Sequence, residues 1–443
     1  MRKFYYLLAV LAVATTSCQQ EVTYTRTQPE TQNSEIADPQ TRSYEEALAI
    51  AEEALKLVDG EDTRSSNHRV IKRNEGQTVM RPVTRGGETT EEPIMYIFNN
   101  ENDEGFTVVA ANRGVEPLIA VTERGNYTYG EPTGVEPFDK YMDDVVETYS
   151  TIVHPPIILP DDPIVPTPKP SIYVEHIDIH EVVEPLLSTK WGQRGIYGEF
   201  FSNHLSGCTI TAVGQVMAYH HHPHYITITY DGSNQRIHLD WTEILKHKTG
   251  TEQNDTTCMN NTHTIIGKFL KELAHRSGAK STSKGTSAFL SDTQPVLDVW
   301  GYNRGTVQNI NGTSSIFHTI KNNLNDDKPV CISGYHNSNI TNGHTWVIDG
   351  YHYSSEGYVE YTLNPDYNMN DPFSGPEYIV TSNNVETIRL LHYNWGWDGI
   401  CDGWFTLNCF DMDNAVEFDR ETGNSSSSNW MYGLNVLYDI YPL

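Results

Sequence analysis

The sequence predicts an α+β protein, helices first and antiparallel strands later, preceded by a small α+β domain of its own. Three observations carry this. Residues 155–170 contain Pro155, Pro156, Pro160, Pro163, Pro166, Pro168 and Pro170, an extended strap that divides the chain. Behind it, 209–219 and 265–274 are helical in character, whereas 330–333, 345–348, 358–363, 389–395, 404–407 and 434–440 are short β-branched and aromatic runs. In front of it a capped helix, a hairpin and a second helix are legible.

Residues 1–18 start with Met1-Arg2-Lys3, run apolar from 4 to 14 and end on Thr15-Thr16-Ser17-Cys18, the profile of an export signal and too short for a transmembrane helix. The segment resembles a bacterial lipoprotein signal, which would make Cys18 the lipidated first residue and a membrane tether, although Thr15 stands where an aliphatic residue is usual. An ordinary signal peptide cut near Ser17 is the alternative. Both place the protein outside the cytoplasm, lipid-anchored to the bacterial envelope or secreted. Residues 19–42 are polar and form a flexible tether. Ser43 and Glu46 then make a capping box ahead of Tyr44, Ala47, Leu48, Ala51, Ala54 and Leu55 at helical spacing. A polar stretch over 58–92 separates this helix from strands at 94–98 and 106–110, which flank the turn NNENDEG. That turn is solvated rather than a calcium loop, since Glu104 sits where Asp or Asn is needed and the closing Glu is missing. Phe138, Tyr141, Met142, Val145 and Tyr149 mark one face of a closing helix. The front domain therefore spans 43–154, the linker 155–170 and the main domain 171–443.

Lys plus Arg number 30 against 58 Asp plus Glu, a formal charge of −28 that repels polyanions and argues against a nucleic-acid partner. Beyond Cys18, the cysteines are Cys208, Cys258, Cys331, Cys401 and Cys409, an odd number that leaves at least one thiol unpaired in an oxidising compartment. No spacing is C-x-x-C, so neither a zinc ribbon nor a thioredoxin-type site has support. Cys331, in an apolar run, reads as a buried structural thiol.

Cys208 follows Gly207 and opens the buried helix, where the macrodipole and unpaired N–H groups favour thiolate. It is either a nucleophile or a small apolar helix-start residue. A nucleophile needs a base: His344 precedes the strand Thr345-Trp346-Val347-Ile348, and His392, two residues from Asn394, is its rival. The cluster His220, His221, His222 and His224 points in different directions around a helix end, and Glu184 spoils a zinc-protease motif in HEVVE. An oxyanion hole can come from the backbone N–H of Cys208 and the side-chain amide of Gln193. Asn394 can hold the imidazole through its side-chain carbonyl while Trp395 shields that bond from water.

The ordered motifs WGQ, GCTITAVGQVMAYHHHP, GHTWVIDGY and YNWGWDG with DGWF resemble those of the streptopain family of secreted bacterial cysteine peptidases. The resemblance implies a papain-like catalytic domain with a helical lobe and an antiparallel β lobe. It also implies a Cys208 nucleophile, His344 as general base and acid, Gln193 as oxyanion donor, and Asn394 with Trp395 supporting His344. The front segment, with GFTVVAANRGVEPLIAV, is similar to that family's inhibitory propeptide. The implied activity is that of an endopeptidase made as a zymogen, acting on proteins or peptides without cofactor or metal, its own prodomain an intramolecular inhibitor. The chain departs from the family in the long 351–391 stretch, in RGIYGEF after Gln193, and in Thr209-Ile210 after Cys208. Residues 278–289, containing GTSAF, resemble the substrate-cleft loop. The competing readings are a catalytically silent surface lipoprotein used for protein binding, and a cysteine acyltransferase or amidase with the same constellation.

Overall fold

A computed structural model describes residues 24–25, 40–60, 69–85, 88–151, 173–230, 233–247, 261–283, 285–309, 316–335, 343–364, 367, 376, 378–406 and 432–443. The export signal, most of the tether, the linker 155–170, Cys258 and Cys409 lie outside the described residues.

The front domain comprises β1 (Tyr24–Thr25), α1 (Tyr44–Asp59), β2 (Gln77–Arg85), β3 (Glu88–Asn99), β4 (Phe106–Ala110), β5 (Leu118–Thr122) and α2 (Glu136–Thr151). α1 starts on a complete capping box: Ser43 Oγ accepts from Glu46 N, and the Glu46 carboxylate accepts from Ser43 N. β4 and β5 are buried along their whole length because a helix covers each face. Val109 and Val121 lie under α1, while Phe106 and Val108 lie under α2. The stretch expected to be a polar spacer over 58–92 instead holds β2 and the start of β3, paired from Gln77↔Ile97 to Arg85↔Glu88. Thr89, Thr90 and Glu91 are exposed there, so the ribbon carries no apolar alternation to read.

The main domain continues with β6 (Tyr173–Val183), α3 (Cys208–Tyr219), the hairpin β7 (Tyr225–Tyr230) and β8 (Ser233–His238), α4 (Trp241–Ile244) and α5 (Thr262–Arg276). The hairpin β9 (Lys280–Thr282) and β10 (Gly285–Ser287), α6 (Leu290–Val299), β11 (Thr306–Asn309) and α7 (Ile316–Asn325) follow. β12 (Val330–Tyr335), β13 (Gly343–Leu363), β14 (Tyr378–Asn394), β15 (Gly403–Thr406) and β16 (Tyr432–Tyr438) complete it. α3, α5 and α6 share one core, and α3 lies against β13, so the first helix of one lobe touches the strand that opens the other. The unusually long 351–391 stretch lengthens β13 and β14, which pair from Tyr351↔Leu391 to Leu363↔Tyr378, with β6 paired along β13 from Tyr351↔Val183 to Tyr361↔Tyr173.

Both domains share a sheet of twelve strands. Its order is β1-β2-β3-β4-β5-β15-β14-β13-β12-β16-β11, with β6 beside β13. The junction is antiparallel, with Gly403↔Thr122, Trp404↔Val121 and Phe405↔Ala120 in register. The strap is not what joins the two here: β5 supplies hydrogen-bonding partners to the edge of β15. Gly403 makes the approach sterically feasible: its φ is +156°, and a Cβ there would lie 2.3 Å from Val121 O. The core is shared as well. Phe138 and Tyr141 of α2 meet Phe405 at centroid distances of 6.3 and 5.5 Å, and Tyr141 meets Trp395 at 6.0 Å.

Candidate active site

A cleft of about 340 Å³ brings Gln193, Cys208 and His344 together. Cys208 is the first residue of α3, after Gly207, whose φ of +91° and missing side chain are both required: a Cβ there would meet Thr286 O at 2.3 Å. The helix N-cap makes no side-chain hydrogen bond, which leaves the positive end of α3 for the sulfur. Cys208 is partly exposed. Burial pushes its thiol up, but the charge and hydrogen bond of His344, with the backbone N–H groups of Thr345 and Thr209, outweigh this and bring it down to about 7.

His344 lies near the start of β13, opposite Gly334 of β12, and is 5% exposed. Its ring is nearly parallel to Trp346, with centroids 6.2 Å apart and an interplanar angle of 9°. Nε2 lies 2.9 Å from the main-chain oxygen of Trp395. A carbonyl only accepts, so Nε2 carries the proton, which leaves Nδ1 for the sulfur. This corrects the expected partner. Asn394 does not touch the imidazole; its Oδ1 accepts from Gln215 Nε2 at 3.0 Å and Gly396 N at 3.1 Å, while its Nδ2 donates to Thr189 O at 2.8 Å. The oxygen on His344 belongs to the neighbouring main chain, and Trp395, 1% exposed, supplies both that oxygen and an apolar wall 6.2 Å from the imidazole by centroids.

Gln193 is fixed by its main chain, whose oxygen accepts from Ser206 N at 3.0 Å, two residues before Cys208. Its side-chain Nε2 is buried with no hydrogen-bond partner among the described residues. A hydroxyl chain ties together the residues that follow Cys208 and His344. Thr209 Oγ1 donates to Ala288 O at 2.8 Å and accepts from Thr345 Oγ1 at 2.9 Å. The loop expected at the cleft contributes Gly285 and Thr286 to its wall.

His392 is placed elsewhere. It is 3% exposed, with Nδ1 2.6 Å from Asp349 and Nε2 3.2 Å from Glu123, so both ring nitrogens are occupied. Burial pushes its imidazole down, but the two carboxylates win and hold it at about 10. His222 bonds Trp300 O at 2.6 Å, and burial pulls His220 down to about 4, so the histidine cluster does not converge. Cys331 and Cys401 are buried thiols, each raised by burial.

The front domain reaches the cleft. Glu136, Pro137 and Lys140 at the start of α2 line it beside Cys208 and His344. Farther along the interface, Glu123, just after β5, pairs with Lys190 and His392 of the main domain. Burial pushes the Glu123 carboxyl up, but those two cations outweigh it and hold it well below the usual carboxylate range. Asp402, fully buried, accepts from Trp395 N at 2.8 Å. Glu123, Lys190, Asp402 and Gln215 carried no signal of their own in the sequence, although Gln215 and Asp402 fall inside the quoted motifs GCTITAVGQVMAYHHHP and DGWF.

Two protein families match separate parts of this chain. Residues 191–405 match the Peptidase C10 family, and residues 34–145 match the Spi protease inhibitor family. Streptopain of Streptococcus pyogenes serotype M1 is 21% identical over 360 residues, covering 74% of this chain and 77% of that protein. Among solved structures, a Prevotella intermedia prointerpain A fragment gives a TM-score of 0.48 at 16% identity, covering 83% of this chain and 99% of the other. Active interpain A from the same organism gives 0.37 at 18% identity, covering 59% of this chain and 95% of the other. The chain thus carries a Peptidase C10 region over residues 191–405, similar to that of the streptopains, with a Spi protease inhibitor region over residues 34–145 ahead of it.

Proposed function

We propose that this protein is the exported zymogen of a cysteine endopeptidase in which Cys208 is the nucleophile and His344 the general base and acid. The observation that carries the reading is the one cleft where a thiol held at about 7 by its imidazole neighbour meets a Gln193 Nε2 that has no hydrogen-bond partner among the described residues. In this scheme the proton of Cys208 passes to His344 Nδ1 and the thiolate attacks the scissile carbonyl carbon. The developing oxyanion takes hydrogen bonds from Cys208 N and Gln193 Nε2. His344 returns its proton to the leaving amine, then draws one from the water that hydrolyses the thioester. The start of α2 walls the cleft against peptide substrates until the strap is cut, within or just after 155–173, leaving β6 at the head of the catalytic domain. Residues 1–18 direct export, with Cys18 as the lipid anchor.

Cys208→Ala and His344→Ala should each abolish peptide turnover by the processed enzyme, whereas His392→Ala should leave the Cys208 titration nearly unchanged. Gln193→Ala should cost roughly 10²–10³ in turnover, the usual effect of one oxyanion donor. Wild-type turnover in Cys208→Ala would overturn the assignment, and a loss below about threefold in Gln193→Ala would make that residue structural. The mass of the mature N-terminal peptide tests the anchor: a diacylglyceryl cysteine at Cys18 supports it, and an unmodified N-terminus contradicts it.

A further inference from the structure

Gln215 is 0% exposed on α3, seven residues after the nucleophile, and both ends of its amide are engaged. Oε1 accepts from Trp191 N at 2.9 Å, and Nε2 donates to Asn394 Oδ1 at 3.0 Å. That oxygen also accepts from Gly396 N at 3.1 Å. Gly396 N and Trp395 O belong to one peptide group, and Trp395 O is the acceptor for His344 Nε2 at 2.9 Å. Asn394 therefore grips one edge of a planar amide whose opposite edge grips the imidazole. Its own orientation is fixed, because Nδ2 donates to Thr189 O at 2.8 Å, so Oδ1 must face Gln215 and Gly396.

We propose that Gln215 is a positioning residue for the peptidase reaction: through Asn394 and the Trp395–Gly396 peptide it sets the plane and tautomer of His344, so the helix that carries the nucleophile also aims the base. The inference rests on the Cys208–His344 reading given above. A hydrogen bond on an amide N–H polarises that amide and strengthens its carbonyl as an acceptor, so the Gln215–Asn394 pair also favours the protonated imidazole of the ion pair. The hydrogen-bond partners of Gln215 bear no charge. The titratable groups at the same seam are His344 itself and Asp402. Burial pushes the Asp402 carboxyl up to about 7, against Lys190, Trp395 N and His392, and Glu123 adds to the rise.

Gln215→Glu separates this role from mere packing. Protonated, Glu offers one donor and one acceptor as Gln does; ionised, it only accepts, and sets two oxygens against each other at Asn394. The test is the rate of Cys208 alkylation by iodoacetamide against pH, read by peptide mass on the full-length chain. Wild type should react at pH 6, where an ordinary thiol of pKa about 8.5 is almost wholly protonated. Gln215→Glu should match wild type within about threefold near pH 5, fall about tenfold below it as the buried carboxyl ionises, and recover only as an isolated thiol titrates. Gln215→Met, which can neither donate nor bridge, should lose about tenfold at pH 6 without the dip, and it carries the test if the Glu variant does not fold. A wild-type profile in either folded variant, checked by circular dichroism, overturns the positioning role while leaving the dyad intact. Ordinary titration of Cys208 in wild type overturns the dyad and this inference with it.

Discussion

Thr209 follows Cys208 and Thr345 follows His344, and their hydroxyls bond to one another across the lobe boundary while their N–H groups face the sulfur. Thr209→Val keeps the shape and removes the chain. It strands Ala288 O and the Thr345 hydroxyl in buried positions, at about 1–3 kcal/mol. We expect the Cys208 titration to move up by roughly one unit, the equivalent of about 1.4 kcal/mol, with kcat falling and KM little changed. Thr209→Ser should restore both. An unmoved thiol titration in Thr209→Val would make the hydroxyl chain incidental. At this scale the sequence was informative where local rules apply. A cysteine after glycine at a helix start announces its own electrostatics, and a histidine at the head of a strand announces rigidity. It misled at Asn394, because whether a side chain touches the imidazole or the peptide beside it depends on backbone planes that no spacing encodes.

Strand β15 shows the same limit one level up. The run 404–407 is legible as a strand from composition, but not which strand lies beside it: the partners Gly403 and Thr122 are 281 residues apart. Likewise β2 was missed because the ribbon it forms with β3, where Thr89, Thr90 and Glu91 are exposed, lacks apolar alternation, whereas α1, α2, α3 and α5 were visible through caps and apolar faces. The junction makes a direct prediction. Gly403→Ala places a methyl 2.3 Å from Val121 O and forces an L residue to φ +156°, so β5 must draw away. The backbone strain alone costs of order 1–3 kcal/mol. In a Cys208→Ala background, which should prevent the proposed self-cutting, the precursor should melt several degrees lower and its front domain should be digested sooner by added trypsin. An unchanged melting temperature would mean that the β5–β15 pairing contributes little to docking.

Across the whole molecule, the prodomain interface is a titrating one. His392, at about 10, binds its proton more tightly folded than the ordinary imidazole near 6.5 does unfolded, so its contribution is full below about pH 6.5 and lost as pH rises through about 10. Asp402, raised to about 7, pulls the same way, its effect lost as pH rises from about 4 through 7. Glu123 has the opposite sign, present above the ordinary carboxylate range and lost only well below it, so mild acid leaves it engaged. The Cys208→Ala precursor should therefore melt lower at pH 9 than at pH 6, and Glu123→Gln should shrink that difference. A precursor that is more stable at pH 9 would contradict the assignment. The shared sheet and shared core also change what can be asked of the prodomain. A separate 43–154 fragment would expose the surfaces that Phe138 and Tyr141 bury against Phe405 and Trp395, so latency is best read in the intact chain. The most direct measurement is the intact mass of the full-length wild-type and Cys208→Ala proteins followed over time beside peptide turnover. The account predicts that wild type stays nearly inactive until a cut appears within or just after 155–173, and that Cys208→Ala remains whole until active enzyme is added. Full activity in an uncut wild-type chain, or self-cutting by Cys208→Ala, would contradict it.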